Sequence, residues 1–280
     1  MTPVTQNVDV VAFGEVVWDV IDGVPHIGGA PFNFAAHAAK CGLLSAIVSE
    51  VGDDDLGRRA CAAIDRLGVD GRFVGRHLTL PTGTVNVTLR GGIPSYEIVK
   101  PVAWDEITIG CASALPMPRA FYFGSLAQRS PVSAKTLENL LGAFSKSLIF
   151  FDVNLRQNYW SKALIDDCLA RTDILKVNDE ETKALGFTLA SLFSAHERLR
   201  TIIETRGADG CAVWSRDGES FESPAIPDGP VVDTVGAGDS FSAAFLASVL
   251  KGESLAEAAM AGNVRAGKVA ARAGAIPEDM

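Results

Sequence analysis

Residues 233–246 read DTVGAGDSFSAAFL, a glycine-rich turn that leads directly into an apolar helix. Because Gly236, Ala237 and Gly238 carry little or no side chain, their backbone N–H groups stay uncovered beside the positive end of the helix dipole. These groups predict a cradle for an anion such as a transferring phosphoryl group. Asp239 follows immediately, where a carboxylate can accept a hydroxyl proton as the phosphoryl group moves.

The same residues also admit a plainer interpretation as an ordinary helix start. Aspartate is a favoured N-cap, worth about 1 kcal/mol, and glycines commonly supply the preceding turn. Other phosphate-binding patterns do not occur in the sequence, which has no GxxxxGK[ST], no HRD and no DFG. The anion-cradle interpretation therefore competes with helix capping and not with a P-loop or protein-kinase site.

N-terminal to this stretch, the chain alternates between strand-like and helix-like segments. SAIVSEVG at 45–52 is a β-branched, apolar run, and DLGRRACAAIDRLG at 55–68 has helical periodicity. Such alternation predicts an α/β fold with a doubly wound, mostly parallel sheet flanked by helices. Ligands of such sheets bind beyond the carboxyl ends of the strands, where Asn154, Asn178 and Thr205 follow apolar runs.

Two stretches, residues 15–28 and 82–104, break this alternation. In the second, extended runs flank GGIP, which predicts a β-hairpin with a glycine-containing turn. Strands that project from a parallel sheet can form a lid over a substrate, and their exposed edge can pair with a second copy to make a homodimer. We therefore expect a single α/β domain over residues 1–280 with a small β-strand lid inserted in it.

Composition narrows the class of ligand. The 280 residues carry a formal charge of −9 and a pI near 5.0, which would repel nucleic acid and anionic membranes and favours a small-molecule ligand. The five cysteines and four histidines show no CxxC or HxxxH spacing, so no zinc site is predicted. The N-terminus lacks the features of a secretory signal, and no apolar run approaches about 18 residues, so we expect a cytoplasmic protein.

A second candidate site is GGAPFNFAAHAAKCG at 28–42. Pro31 suits a first helical turn, and Gly29 lets a ligand approach the backbone closely. Asn33 can both donate and accept hydrogen bonds, as the binding of sugar hydroxyls requires, although helix capping would use it equally. Upstream, Asp19 lies between apolar residues, where a carboxylate is costly unless it is hydrogen-bonded, faces a polar ligand or lies on the wet face of a strand.

Taken in chain order, these motifs resemble those of the ribokinase-like (PfkB) carbohydrate kinases, and most closely those of bacterial fructokinases. The matching segments are GEVVWD, GGAPFN, PSYEIVKPVAWD, FGSLAQR, DVNLR, NDEE, TRGADG and DTVGAGD. The resemblance implies the ribokinase-like fold and an ATP-dependent kinase that transfers the γ-phosphate to a sugar hydroxyl, converting fructose to fructose 6-phosphate. Asp239 would then be the catalytic base, and Gly236, Ala237 and Gly238 would form the anion cradle.

The resemblance also implies which residues bind the sugar. Asp19, Gly29, Asn33 and Asp239 would lie against its hydroxyls. Arg156, in FDVNLRQNYW, would hold the substrate or form a fork to a phosphate. The alternative for Arg156 is an exposed side chain that pairs with a surface carboxylate.

A further set of residues is implied for the nucleotide and for ions. Asn178 and Glu181, in LKVNDEE, would place Mg²⁺ through water molecules, and capping of the following helix is a rival or coexisting role. The nucleotide-binding set is completed by Thr205, Gly207 and Gly210 of TRGADG, by Gly238 of the cradle and by Asn263 at the adenine. Asp233 takes the family position associated with a monovalent cation such as K⁺.

Other functions remain open on the sequence. A 2-keto-3-deoxygluconate kinase would need a clamp for the substrate carboxylate, for which Arg156, Arg90, Lys100 and Tyr96 are candidates. A ribose or nucleoside kinase is disfavoured because no lysine follows the glycines at 28–29. A catalytically silent sugar- or nucleotide-binding regulator would typically have lost the base or the cradle. A dinucleotide oxidoreductase would carry GxGxxG after the first strand, where GEVVWD stands.

Overall fold

The computed structural model describes residues 8–90, 93–109 and 115–280. Gly91 and Gly92, in the turn of the predicted hairpin, lie outside the described residues, as does Cys111. None of the helices in the described ranges combines the length and the apolar character required to cross a membrane.

Thirteen strands and eight α-helices make up most of the described chain. The strands are β1 (Val10–Phe13), β2 (Val17–Ile21), β3 (Val24–Gly28), β4 (Ser45–Gly52), β5 (Asp70–His77), β6 (Gly83–Arg90), β7 (Ile93–Ile98), β8 (Ala120–Gly124), β9 (Leu148–Asp152), β10 (Ile174–Asn178), β11 (Thr201–Thr205), β12 (Cys211–Ser215) and β13 (Ser220–Ser223). The helices are α1 (Ala30–Lys40), α2 (Asp55–Arg66), α3 (Pro131–Ala143), α4 (Lys162–Leu169), α5 (Asp179–Leu185), α6 (Leu189–Ala195), α7 (Ala237–Lys251) and α8 (Leu255–Ala270).

The large sheet has the strand order β13-β12-β11-β10-β9-β8-β1-β4-β5. The β11–β12 and β12–β13 pairs are antiparallel, and the other neighbouring pairs are parallel. The chain moves outward from β1 in both directions, so that connecting helices cover both faces of the sheet. This architecture confirms the predicted doubly wound, mostly parallel α/β fold.

Alternating side chains of the central strands build one core on each face of the sheet. In β8, Phe121 and Phe123 pack with α3 and α4 on one face, and Tyr122 packs on the other face with α1 and α7. Phe34 of α1 stacks on Tyr122 with ring centroids 3.7 Å apart. Because both faces are buried, these strands are near-continuous apolar runs. The helices that begin at the two glycine-containing motifs, α1 and α7, pack against each other on one face.

Four strands form a second, smaller sheet in the order β3-β2-β6-β7, which we call the lid. The β2–β3 and β6–β7 pairs are antiparallel, and β2 and β6 are parallel. The lid strands fall within the two segments predicted from the sequence, 15–28 and 82–104, and β6 and β7 are the predicted hairpin strands. The predicted segments extend beyond the observed strands at their ends.

The second predicted lid segment returns to the body of the protein before it ends. Trp104 is fully buried in the main core. Arg129 forms an ion pair of 2.7 Å with the neighbouring Asp105 and donates to the carbonyl of Val99 at 2.8 Å. Residues 99–104 therefore anchor the base of the lid and do not belong to its sheet, because the large apolar indole of Trp104 is buried in the main core.

The turn between β11 and β12 contains two glycines with different environments. Gly207 is exposed at a φ of +55°, and a Cβ there would meet no atom within 4 Å. Gly210 is buried at a φ of +84°, and a Cβ there would lie 2.1 Å from the carbonyl oxygen of Ser223. Close packing against the end of β13 therefore accounts for the glycine at 210.

We expect Gly210→Ala to lower the free energy of unfolding by about 2 kcal/mol or more, because strain at a positive φ adds to overlap with backbone atoms. Gly207→Ala, the matched control, should cost about 1 kcal/mol from the backbone conformation alone. Urea unfolding of both variants measures the difference. Equal losses of stability would contradict the packing role of Gly210.

Candidate active site

The glycine-rich turn before α7 holds the start of that helix against the C-terminal loop. Gly236 has a φ of +77°, and a Cβ there would lie 2.5 Å from the carbonyl oxygen of Ala275. Among the described residues, no side chain caps α7. The N–H of Ala237 donates to the carbonyl of Thr234 at 3.2 Å, so the groups that follow it in the first turn are the better anion donors.

Asp239 lies in this first turn and contacts α1. The amide nitrogen of Asn33 donates to a carboxylate oxygen of Asp239 at 2.9 Å, joining residues 206 positions apart. The carbonyl oxygen of the Asn33 side chain is buried and accepts no hydrogen bond from the described residues. A buried acceptor beside a carboxylate is suited to a ligand that donates hydroxyl groups.

The environment of Asp239 makes it a proton acceptor near neutral pH. Burial raises the pKa of Asp239 to about 6, and the Asp152 carboxylate acts in the same direction. The hydrogen bond from Asn33 and the cations Lys176 and Arg156 act to lower this pKa. A base of this kind is ionised at neutral pH and still has useful affinity for a proton.

Arg156 lies among the carboxylates next to the lid. It is exposed, and its charge acts to lower the pKa values of Glu15, Asp19 and Asp239. Burial is the dominant influence on Asp19 and raises its pKa. Arg156, Asp19 and Asp239, three of the predicted sugar-binding residues, are therefore linked through their charges. Gly29, a fourth, packs directly on the backbone of Glu15.

Gly29 and Glu15 form the junction between the lid and α1. Gly29 has a φ of +109°, and a Cβ there would lie 2.4 Å from the carbonyl oxygen of Glu15. Glu15 is 4% exposed, and burial raises its pKa to about 7. Sequence reasoning missed Glu15, although a glutamate between apolar residues in GEVVWD was the available signal.

A buried ion pair beneath the first turn of α7 was also missed. The Lys176 ammonium lies 2.9 Å from both carboxylate oxygens of Asp152. Burial acts to lower the pKa of Lys176, but the carboxylates of Asp152, Glu181 and Asp239 together outweigh it and the pKa is raised. The signal in the sequence was one charged residue in each of two apolar strand segments, LIFFD and ILKVN.

Asn178 and Glu181 form a reciprocal cap at the start of α5. The N–H of Glu181 donates to the side-chain oxygen of Asn178 at 2.7 Å, and the N–H of Asn178 donates to a carboxylate oxygen of Glu181 at 2.8 Å. The N–H of Leu155 donates to the other Glu181 oxygen at 2.8 Å. Each carboxylate oxygen retains a second lone pair, so the donor set fits a hydrated Mg²⁺ but not a metal held by bare direct ligands.

The predicted nucleotide residues separate into two groups. Thr205 and Gly207 lie at the carboxyl end of β11 and in the exposed turn that follows it. Gly210 and Asn263 are buried at the end of β13, where the Asn263 amide nitrogen lies 3.0 Å from the carbonyl oxygen of Pro224. These two residues secure the loop that leads from β13 towards α7.

Asp233 ties the segment before the cradle to the C-terminal loop. Its carboxylate accepts hydrogen bonds from the N–H groups of Val235 at 3.0 Å and Gly274 at 3.1 Å. The Nε2 of His37, on α1, lies 2.9 Å from the carbonyl oxygen of Ala275. Asp233 and the C-terminal loop are therefore adjacent, and the binding of a cation by Asp233 stays a prediction.

Comparison with known proteins gives a consistent picture of relatives. A family model described as pfkB family carbohydrate kinase matches residues 1–279. Fructokinase-1 of Oryza sativa subsp. japonica is 27% identical over 309 aligned positions, covering 96% of this chain and 93% of the rice protein.

Solved structures of relatives share the fold. An uncharacterized sugar kinase, PH1459 from Pyrococcus horikoshii, superposes with a TM-score of 0.83 at 26% identity and covers 95% of this chain and 93% of its own. Aminoimidazole riboside kinase from Salmonella enterica, in complex with aminoimidazole riboside and an ATP analog, superposes with a TM-score of 0.81 at 26% identity and covers 95% of both chains. PH1459 has also been crystallised in complex with ATP.

We expect the Asp239 carboxyl to titrate with a midpoint near 6, as burial dictates. Asn33→Ala should raise this midpoint, because the hydrogen bond that stabilises the ionised form is lost. Carboxyl-detected NMR titration measures both values, with the Asp239→Asn spectrum giving the assignment. Asn86→Ala, an exposed lid asparagine, is the matched control. A midpoint near 4 in the parent protein would contradict the burial of this carboxyl.

Proposed function

The chain belongs to the pfkB family of carbohydrate kinases, and from that premise we propose that it transfers the γ-phosphate of ATP to the 6-hydroxyl of fructose. The observation that carries the proposal is the contact between Asn33 and Asp239 beside the uncapped start of α7. A proton acceptor, a hydroxyl-binding amide and an anion-binding helix end are thereby held within one small region.

In the proposed reaction the sugar hydroxyl gives its proton to the Asp239 carboxylate. The hydroxyl oxygen forms a bond to the γ-phosphorus of ATP, the bond from that phosphorus to the bridging oxygen breaks, and ADP leaves. The charge on the transferring phosphoryl oxygens faces the N–H groups at the start of α7, where the helix dipole stabilises it. Catalysis rests on positioning and on preorganised charge.

The charges around Asp239 favour a neutral sugar over a sugar acid. The charge of Asp239 acts to raise the pKa of Glu15, and the Arg156 cation acts to lower the pKa values of Glu15, Asp19 and Asp239. Of the other clamp candidates, the Lys100 ammonium lies over the ring of Tyr159 at 5.0 Å, and the Arg90 side chain lies outside the described residues. A substrate carboxylate would be repelled by the ionised Asp239 and would compete with it for Arg156, which supports a ketohexose over 2-keto-3-deoxygluconate.

We also propose where ATP binds relative to the glycine-rich turn at 236–238. ATP phosphates would lie between Gly238, Thr205 and Gly207, with Mg²⁺ held through water on Asn178 and Glu181. When bound, Mg²⁺ would neutralise phosphate charge as the bond to the leaving ADP breaks. Asp233 with the adjacent C-terminal loop is proposed to hold K⁺.

Two of the predicted nucleotide residues have a structural explanation already. Gly210 and Asn263 support the loop that follows β13, and we propose that they shape the adenine site through this loop. A contact from either residue to the nucleotide stays a prediction.

The proposed place of action is the cytoplasm, where ATP is abundant.

The lid is proposed to close over the sugar. Gln157, next to Arg156, donates from its side chain to the carbonyl of Tyr96 on β7 at 2.9 Å. This contact joins the Arg156 loop to the lid, so a sugar that binds Arg156 would also order the lid.

The lid also exposes Ile21 and Val24 to solvent, which supports the proposal that a second copy pairs with it to form a homodimer.

We expect Asp239→Asn to lower kcat for fructose by about 10²–10⁴-fold while ATP affinity changes little, because the variant keeps the cradle but cannot accept the proton. ADP release with Mg²⁺ and ATP is measured on fructose, ribose, 2-keto-3-deoxygluconate, adenosine, aminoimidazole riboside and tagatose. Asp217→Asn, in the exposed turn after β12, is the matched control and should leave turnover unchanged.

The substrate panel separates the alternatives. Preferred turnover of another member would replace fructose and keep the kinase chemistry. Retained activity in Asp239→Asn would remove Asp239 as the base. Measurable ATP binding without turnover of any sugar would favour a silent sugar- or nucleotide-binding regulator.

Sugar binding should slow amide hydrogen exchange in β2, β3, β6 and β7 and leave α3 unchanged, because closure protects the lid and not the far helices. The measurement is mass-detected exchange with and without fructose.

Repeating it without sugar at two protein concentrations tests the dimer, whose interface would be more protected at the higher concentration. Lid exchange that is indifferent to both sugar and concentration would contradict closure and pairing.

A further inference from the structure

We infer that Lys176 and Asp152 are positioning residues: their buried ion pair holds the first turn of α7 on the sheet and sets the electrostatic field at Asp239. The kinetic part of this inference rests on the proposed function, since it takes Asp239 as the base. The electrostatic part does not, because it can be measured on the free protein.

The pair is formed by the pairing of two neighbouring strands. β9 and β10 run parallel, and their register places Lys176 opposite Asp152. The Lys176 side chain is 8% exposed and the Asp152 side chain 1%, and the ammonium lies 2.9 Å from each carboxylate oxygen. Two charges this far from water are screened weakly by salt, so their fields reach neighbouring groups.

The Asp152 carboxylate is also hydrogen-bonded from both helix and sheet. The Tyr122 hydroxyl on β8 donates to it at 3.0 Å, and the Ser242 hydroxyl on α7 lies 3.2 Å from the same oxygen. Ser242 has one proton, which it can give either to Asp152 or to the carbonyl of Gly238 at 3.1 Å. Asp152 thus accepts hydrogen bonds from Lys176 and Tyr122 and has Ser242 as a further potential donor, which stabilises the ionised form of a buried carboxylate.

The ammonium of Lys176 lies directly against the cradle. A Cβ on Gly238 would come within 3.3 Å of the Lys176 nitrogen. The missing side chain of Gly238 therefore leaves room for a cation next to the first turn of α7. Ser242, one turn further along α7, is linked to the same ion pair through Asp152.

The field at Asp239 comes from several surrounding elements. Asp152 on β9 acts to raise its pKa, and Lys176 on β10 acts to lower it. The Arg156 cation in the loop after β9 also lowers it, and the Glu15 carboxyl in the loop after β1 is coupled to Asp239. On α1, Asn33 supplies the hydrogen bond that stabilises the ionised form. The two members of the pair thus act on Asp239 with opposite signs.

Opposite signs distinguish an electrostatic role from a purely structural one. A buried ion pair can often be replaced by apolar residues without loss of stability, so burial alone does not explain the pair. If the pair served only packing, removing either member would shift the pKa of Asp239 in the same direction. If the pair sets the electrostatic field, removing the cation must raise this pKa and removing the anion must lower it.

The test is the NMR titration of the Asp239 carboxyl in Lys176→Met and Asp152→Asn. We expect the midpoint to move up in Lys176→Met, which loses the cation, and down in Asp152→Asn, which loses the anion. With substrates, kcat should fall about tenfold or more in Lys176→Met, with a smaller change in KM. Shifts of the same sign, or no shift in either variant, would overturn the inference.

Milder variants keep the test decisive if a single charge removal prevents folding. Tyr122→Phe removes a donor from Asp152 and Ser242→Ala removes the hydroxyl beside the same carboxylate oxygen. Both retain the ion pair and leave the negative charge of Asp152 less compensated, so each should raise the Asp239 midpoint. Ser248→Ala is the matched control and should leave the midpoint unchanged, because Ser248 is a buried serine of α7 whose hydroxyl bonds only to Glu253 among the described residues. An unchanged midpoint in both milder variants would also overturn the inference.

The two readouts separate this inference from the proposed function. The titration requires neither sugar nor ATP, so opposite shifts would stand even if no sugar in the panel were phosphorylated. Conversely, fructose turnover with no shift in Asp239 would keep the kinase and remove the field-setting role of the pair.

Discussion

The absence of a side chain at Gly236 is the constraint on which the site depends. Its backbone has a positive φ and passes so close to Ala275 that a Cβ would lie 2.5 Å from the carbonyl oxygen. This contact lets α7 begin where the C-terminal loop and α1 converge, and Asn33 can then reach Asp239. Asp233 secures the same loop from the other side. The catalytic arrangement is therefore a consequence of how closely two backbones pack.

Charge is distributed around this helix start in a way that suits phosphoryl transfer to a neutral sugar. The lid side carries the acidic side chains Glu15 and Asp19, and the Arg156 cation acts on both of them and on Asp239. The buried Lys176 ammonium lies next to Gly238 at the helix start. Hydroxyl groups bind well among carboxylates, and a transferring phosphoryl group needs positive potential, so this distribution supports the proposed reaction.

The sequence was sufficient for features that depend on local pattern, and insufficient for those that depend on register. The α/β alternation and the small sheet follow from periodicity and glycine placement, and the fold was confirmed; the anion-binding role of residues 236–238 stays a prediction. The ion pair of Asp152 and Lys176 depends on which strands are neighbours and on their offset, and neither was derived from residue types. The boundary of the lid at residue 98 and the packing reason for Gly210 likewise depend on tertiary contacts. In each of these cases a distant backbone or side chain decides the outcome.

The most direct test of the central claim is to identify the product formed from ATP, Mg²⁺ and uniformly ¹³C-labelled fructose by ³¹P and ¹³C NMR. The account predicts a single phosphomonoester whose phosphorus couples to C6 of the sugar, formed in equal amount to ADP. Inorganic phosphate and ADP with no phosphomonoester, or an ester at a different carbon, would contradict the proposed placement of the 6-hydroxyl between Asp239 and the start of α7.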